Sequence, residues 1–447
     1  MLEAIKNAFK TKEIRSKILF TVAMIVVIRL GTAIPIPGMD LANYQNWYQS
    51  LAGEEGNNLL GLLDRFTGGS FERMSVFALN ITPYITASII IQLLTIAIPA
   101  LEEMQRDGEE GRKKLTKWTR FLTVGLAILE GGLMAYGFYN STPVEGEGFL
   151  IARSPLLVVQ IVAALTAGSA FLMWVGERIT EKGVGNGISV VLGVNIISRM
   201  PADFMTLFRQ FVFNNTVIQG ILITILILAI VIAMVVLVVI LNSAERRIPV
   251  QYAKKMQGRR MMGGNTAEIP LKVNTAGVMP VIFAMSLFQF PIIISQFAGY
   301  EGPGTWQEIL NYLNQNMWVN PAAFRYTLGL LAYIGLMIFF AYFYTSVTFN
   351  PLEIADNMKK QGGFIPGIRP GKPTSDYLAG ILKYIIFIGA AGLVIVAVVP
   401  IIFNGLFNAN VSFGGTSLII VVSVILDTLK QIESQLVVRN YKGFLEG

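Results

Sequence analysis

The sequence predicts an all-α polytopic membrane protein with ten transmembrane helices. Three observations predict it. The 447 residues are 53% hydrophobic and 14% charged, with a mean hydropathy of +0.58, whereas a soluble chain carries roughly a quarter charged residues. Apolar runs of about twenty residues recur along the whole length. Finally, the connections between those runs alternate between crowded with Lys and Arg and nearly free of them.

The first span is expected at 18–36. Lys12, Arg15 and Lys17 precede Ile18–Ile28, a stretch of signal-peptide length. The run continues past Arg29 to Ile36 without a small-x-small cleavage site, so it reads as an uncleaved span. Arg29 would be expensive at mid-membrane and should face protein or water. The second span, 76–98, begins inside RFTGGSFERMSVFALNITPYITASIIIQ (65–92) and runs on to Ile98. Gly68 and Gly69 loosen the front of this stretch, Glu72 and Arg73 charge it, and Pro83 interrupts the apolar run. Lipid rejects such a front half; a half-helix inside a protein-lined cavity tolerates it.

Further spans are expected at 119–138, 155–174, 184–200, 217–241, 273–296, 326–348, 378–402 and 413–430, the fifth starting in the glycine-rich GVGNGIS. Arg106, Arg112, Lys113, Lys114 and Lys117 separate spans two and three, and Lys359, Lys360, Arg369 and Lys372 separate eight and nine. Arg246, Arg247, Lys254, Lys255, Arg259, Arg260 and Lys272 lie between six and seven. By contrast 139–154 holds only Arg153, and 403–412 holds no charge. The positive-inside rule then places both termini in the cytoplasm. Ten spans divide into five and five, and an odd number per half inverts one half relative to the other, an arrangement that commonly flanks a central site. The expected divisions are a cytoplasmic segment 1–17, an N-terminal half 18–200, span six in 201–241 and a basic cytoplasmic loop 242–272. Spans seven and eight fill 273–348, a second loop 349–377, spans nine and ten 378–430, and a cytoplasmic tail 431–447.

Composition also limits the chemistry. Without cysteine or histidine, disulfides, thiolate metal sites and the commonest proton shuttle are excluded, which disfavours a redox or zinc enzyme. Within the spans the clear ionisable groups are Arg29 and Glu130. Ion-coupled transporters usually need more, although one acid could serve, and Glu130 beside Gly131 and Gly132 also fits a paired structural charge. Ile81 with Ile85, and Ile188 with Leu192, lie four apart on one helix face; any membrane helix offers such pairs. Thr86, Ser88 and Gln92 in span two and Asn274 at the head of span seven sit where lipid penalises them. Such groups bond neighbouring helices for about 0.6–2 kcal/mol each, as plain adhesive or as a gate, and Pro83 and Pro280 should add flexibility. AERRIPVQYAKKMQGRR (244–260) and GFIPGIRPGKP (363–373) carry more positive charge than orientation requires, suiting RNA phosphates or an acidic protein face.

SVFALNITPYITASIIIQLL, GERITEKGVGNGIS, AERRIPVQYAKKMQGRR, LKVNTAGVMPVIFA, GFIPGIRPGKPT and FGGTSLIIVV resemble, in order, segments of the SecY family of protein-translocase channel subunits. The resemblance runs essentially end to end. It implies two inverted five-helix halves closing like a clamshell around an hourglass pore, with a lateral gate between spans two and seven. It places Ile81, Ile85, Ile188, Leu192, Ile282 and Ile420 in a pore ring, where branched apolar side chains would dewet the constriction. Residues about 61–73 match the plug, with Asp64, Arg65, Phe66, Thr67, Gly68, Gly69, Ser70, Phe71, Glu72 and Arg73 as its site residues in a wet vestibule. Thr86, Ser88, Gln92, Ser189 and Asn274 match the gate, whose weak bonds a signal sequence would replace by burial at about 0.8 kcal/mol per methylene. Arg246, Arg247, Lys254, Lys255, Arg259, Arg260 and Arg369 match the surface that docks the ribosome, through its RNA, or the SecA motor ATPase. The implied partners are SecE, SecG, signal sequences and nascent membrane proteins, in the bacterial inner membrane. The competing reading is a secondary transporter of a small solute.

Overall fold

The computed structural model describes residues 9–53, 64, 67–140, 148–152, 154–209, 217–252, 255–257, 260–262, 266–297, 304–319, 321–407 and 415–445. A helix underlies each expected span: α1 (Lys12–Gly31), α3 (Thr82–Ala97), α5 (Glu109–Asn140), α6 (Pro155–Lys182), α7 (Gly187–Phe208), α8 (Val217–Ser243), α9 (Met279–Phe297), α11 (Thr327–Thr348), α13 (Lys372–Phe407) and α14 (Gly415–Leu445). Shorter helices lie between them: α2 (Leu41–Gly53), α4 (Pro99–Arg106), α10 (Thr305–Leu313) and α12 (Pro351–Lys360). Among the described residues five helices are long and apolar enough to cross a membrane, or six if α3 and α4, bent by 107° at their junction, count as one span. The helices α7 and α9 contribute shorter apolar segments, and α1 carries Arg15, Lys17 and Arg29. Large side chains such as Leu222, Ile225, Leu328, Leu331 and Phe387 stay exposed on the perimeter. In water that much apolar surface would aggregate, so the perimeter is built for lipid.

Two expectations about proline are overturned. Pro83 lies in the first turn of α3 and Pro280 is the second residue of α9. A missing N–H there breaks no intrahelical bond, so both prolines start helices and neither loosens one. Span two is shorter than hydropathy suggests for the same reason: residues 70–81 run as successive turns into Thr82. The glycine-rich start of span five also has a packing cause. A Cβ on Gly187 would stand 1.8 Å from the Gly176 carbonyl oxygen, so α6 and α7 close into a hairpin that only glycine permits at their contact.

The basic segment after α8 is not a loop. β1 (Glu245–Tyr252) pairs antiparallel with β4 (Thr266–Lys272) on one side and with β5 (Gly363–Phe364) on the other. A short hairpin, β2 (Lys255–Gln257) with β3 (Arg260–Met262), extends from them. The cause is an alternation that the charge conceals: Ile248 and Val250 point inward while Arg247, Pro249 and Gln251 point out. With Leu271 the inward pair packs on Leu378, Ile381, Leu382 and Ile385 of α13, fixing both basic segments to one platform.

Helices α3, α5, α6 and α7 pack in succession, and α8, α9, α11, α13 and α14 pack among themselves. The groups meet where α7 lies on α14 and α5 on α9. Away from the sheet, Tyr44, Trp47, Phe138 and Phe149 form an edge-to-face cluster, with Tyr44 and Phe138 at 5.7 Å and Phe138 and Phe149 at 5.3 Å. It clamps α2 onto the end of α5 and the segment 148–152 that leads into α6. Gly187→Ala should destabilise the chain by about 1–3 kcal/mol through overpacking of the hairpin. Gly125→Ala, with nothing within 4 Å of the added atom, should be neutral or slightly favourable. Thermal unfolding in detergent separates the two; equal melting temperatures would contradict the hairpin account.

Candidate functional site

The six ring residues converge. Ile81, at the entry to α3, Ile85 on α3, Ile188 and Leu192 on α7, Ile282 on α9 and Ile420 on α14 belong to one apolar cluster. Ile81, Leu192 and Ile420 are buried, while Ile85, Ile188 and Ile282 are half-buried. Four separate segments thus bring branched side chains into one cluster, where the two helix groups meet.

Beside the cluster lies a cavity of about 80 Å³, lined by Ile85, Leu192, Ile282 and Ile420 and by the polar side chains of Thr67, Thr82, Glu130, Ser286 and Gln289. Helices α3 and α9 face each other across it. Sequence reasoning misses Thr82, Ser286 and Gln289, although a signal is present: Ser286 and Gln289 lie three apart on α9 and hence on one face. Glu130, conspicuous in the sequence for its charge, opens onto this cavity.

The expected gate residues behave differently. The Gln92 amide donates to Ser88 Oγ of its own helix at 3.4 Å. Asn274 Nδ2 donates to Asn242 Oδ1 at 2.7 Å, and Asn242 Nδ2 to Ser423 Oγ at 2.6 Å. Asn274 therefore ties the approach to α9 onto α8 and α14, not onto α3. Thr86 and Ser189 are half-buried.

The glycine-bearing segment before α3 is held by charge. Arg65 and Phe66 lie outside the described residues. Asp64 is fully buried and pairs with Arg199 on α7, whose Nη2 also meets Glu72 Oε2 at 2.8 Å. Asp64 Oδ1 accepts from the Glu72 amide at 2.7 Å, and its carbonyl accepts from the Gly69 amide at 3.0 Å and Thr67 Oγ1 at 3.1 Å. Arg29 Nη1 donates to the Gly68 carbonyl at 3.3 Å and to Ser198 Oγ at 2.8 Å, and Nη2 donates to Asn195 Oδ1. Arg29 faces protein, as its cost in lipid requires. Ser70 and Phe71 are buried, Glu72 is half-buried and Arg73 is exposed, so the segment lies between protein and an accessible space.

On the platform, Arg246 is exposed. Arg247 is already committed to Glu245 at 2.8 Å and Glu268 at 3.6 Å, which lowers its value as a free docking charge. Lys254 and Arg259 lie outside the described residues; Lys255 and Arg260 open β2 and β3. Arg369 is exposed on a turn whose ends are set by Gly367 (φ +84°) and Gly371 (φ +101°). Its carbonyl accepts from Thr374 Oγ1 at 2.9 Å, and Ile365 and Ile368 anchor the turn in the sheet core.

The family model SecY matches residues 75–429. Protein translocase subunit SecY of Streptomyces galbus is 46% identical, and that of Mycobacterium tuberculosis 43%, each alignment covering all of both chains. Among solved structures, one described as a protein conducting channel superposes with a TM-score of 0.59 over 94% of this chain and 91% of its own, at 18% identity. Canine Sec61 in a ribosome–channel complex gives 0.58 over the same shares, also at 18%.

The burial pattern makes a prediction about the ring. Ile81→Asn buries an amide with no place for water and should cost about 1–3 kcal/mol. Ile85→Asn, beside the cavity, keeps access to water and should cost less than half as much. Melting temperatures of the two purified variants check this; equal losses would mean that the cavity does not reach Ile85.

Proposed function

The chain belongs to the SecY family, and on that premise we propose that it is the pore-forming subunit of a protein translocase, a passive gated channel for unfolded polypeptides. The observation that carries this reading is the convergence of Ile81, Ile85, Ile188, Leu192, Ile282 and Ile420 from four separated segments into one apolar cluster beside a cavity. A branched aliphatic ring excludes water and ions when shut. It also fits around any passing side chain without binding one strongly.

In this reading the ten helices are ten spans in two inverted halves, and the ring is the waist of an hourglass pore. The two packing groups and their two seams support it. The lateral gate lies between α3 and α9, and its polar lining is Thr82, Glu130, Ser286 and Gln289 more than Gln92 and Asn274. An apolar signal segment entering there exchanges a few weak polar contacts for burial at about 0.8 kcal/mol per methylene. Residues 64–73 act as the plug. A groove between α1, α7 and α14, lined by Ile18, Val22, Ile25, Val194, Val424 and Ile425 among others, suits an apolar helix and is assigned to SecE; SecG completes the complex. The sheet platform carrying Arg246 and Arg369 faces the cytoplasm, with both termini, in the bacterial inner membrane. It docks the ribosome or SecA, which supply the energy, so the chain needs no catalytic residue. Family membership leaves the small-solute transporter without support.

The test is reconstitution with SecE in liposomes, adding SecA, ATP and a signal-bearing precursor, and scoring ATP-dependent protection of the precursor from protease. Transport that depends on an ion gradient and ignores SecA would sink the reading. A second outcome concerns Arg369, whose planar guanidinium makes paired, directed bonds that an ammonium copies only in part. Arg369→Lys should lose some transport, Arg369→Ala more and Arg369→Glu nearly all, at constant membrane level, because the side chain is exposed on a turn held by its neighbours. A parallel fall in membrane level would make the residue structural.

A further inference from the structure

We propose that Arg199 and Arg29 are positioning residues that seat the plug, holding Asp64 and 67–72 by an ionic clamp and a carbonyl clamp, so that the charge on this seat sets how tightly the resting channel seals. This rests on the reading of 64–73 as the plug and goes beyond it by naming what holds the plug and what releases it.

The geometry separates two jobs. Asp64 braces the segment internally, since its carboxylate takes the Glu72 amide and its carbonyl takes Gly69 and Thr67. The two arginines attach the braced unit to the wall. Arg199, on α7, bridges Asp64 and Glu72, the two ends of the stretch. Arg29, on α1, grips the Gly68 carbonyl and is itself oriented by Asn195 and Ser198. Asn195 in turn donates to Asn80 Oδ1 at 3.0 Å, one residue before the ring member Ile81. The fit at Gly68 is close: its φ is +68°, and a Cβ would stand 2.8 Å from Arg29 Nη2 and 2.9 Å from Asn195 Cα. Apolar anchoring is one-sided and centres on Phe71, whose carbonyl accepts from Tyr44 OH at 3.0 Å.

A plug must leave its seat without unfolding the wall. Apolar burial would make that step costly in proportion to area, whereas a buried ion pair recovers hydration on release and is close to balanced. Asp64 is the sensitive member, because Arg199 offsets its burial only in part and its carboxyl is pushed up to about 6. The titratable groups around it are Arg199, Glu72, Tyr44 and Tyr48; Arg73 is exposed beyond them. Released into water, Asp64 returns to the ordinary value of 3.8. The seated form therefore holds the extra proton between these values, so acidification favours the seat and deprotonation through pH 6 loosens it. From pH 7.5 to pH 5 the seated-to-released ratio should rise on the order of tenfold.

The experiment measures resting ion conductance of the full-length chain, reconstituted with SecE, in planar bilayers between pH 7.5 and 5. Wild-type leakage should fall with acid, and Asp64→Asn, which copies the protonated form and leaves Arg199 paired with Glu72, should stay tight and lose the pH dependence. Arg199→Met strands two acids and should raise leakage on the order of tenfold at pH 7.5. Arg199→Lys should leak less, and adding Asp64→Asn and Glu72→Gln to Arg199→Met should restore much of the seal. Deleting 67–73 sets the ceiling. A leaky deletion with a tight Arg199→Met channel overturns the clamp and leaves the plug standing. A tight deletion overturns both. Should Arg199→Met fail to fold, the pH profile decides alone: wild-type leakage flat with pH, or the same slope in Asp64→Asn, overturns the proposal.

Discussion

In the channel proposed for this chain, a waist of six aliphatic side chains has to be dry when shut and must yield when a polypeptide arrives. Only contacts that are apolar and individually weak meet both demands, and they must come from elements able to move apart. Ile81 and Ile85, Ile188 and Leu192, Ile282 and Ile420 satisfy this because they ride on four different segments. Three of them are shared between the packed cluster and solvent-reachable space, so the waist is the edge of a core and not its centre. The remaining architecture keeps those four segments in register while leaving the seams on either side breakable.

That requirement explains where the strong interactions lie. The α6–α7 hairpin is closed by backbone contact at Gly187 and Gly176. The aromatic cluster around Tyr44 fixes the end of α5 and the segment leading into α6. Asn242 links Asn274 and Ser423, joining α8, the approach to α9 and α14 within one group. Each of these stiffens one packing group internally. The cavity between α3 and α9, by contrast, holds Thr82, Glu130, Ser286 and Gln289. Polar groups facing a cavity in this way hold neighbouring helices at most by about 0.6–2 kcal/mol each.

Hydropathy makes the spans legible because lipid filters each residue by itself, and a local signal survives in a single sequence. The same logic fails at Pro83 and Pro280, since whether a proline breaks or starts a helix depends on where the helix begins, and the turns at 70–81 are not hydropathic features. It fails again at β1, where the charge of Arg246 and Arg247 masks the alternation of Ile248 and Val250. The proposed ring rests on family resemblance; spacing cannot distinguish it from ordinary packing. The pairing of Asp64 with Arg199 spans most of the N-terminal half of the chain, and nothing local announces it. Asn274 is visibly out of place in lipid, but its partner on α8 depends on the bundle's packing.

Arginine serves the molecule in two solvation regimes, and the contrast clarifies the design. Arg246 and Arg369 stand exposed on a sheet whose apolar underside is locked to α13. They keep their hydration, so in the proposed docking role their contribution is read in encounter and orientation more than in the fold. Arg29 and Arg199 have surrendered part of that hydration and recover it through fixed acceptors: a carbonyl, a hydroxyl, an amide and two carboxylates. A guanidinium suits such sites because it stays charged and offers several donors in one plane. One nitrogen, Arg199 Nη2, meets both Asp64 and Glu72, and the guanidinium keeps its charge there despite burial. If 64–73 is the plug, such paired charges keep its seat close to balance in energy, as a contact that forms and releases in every cycle of a channel requires.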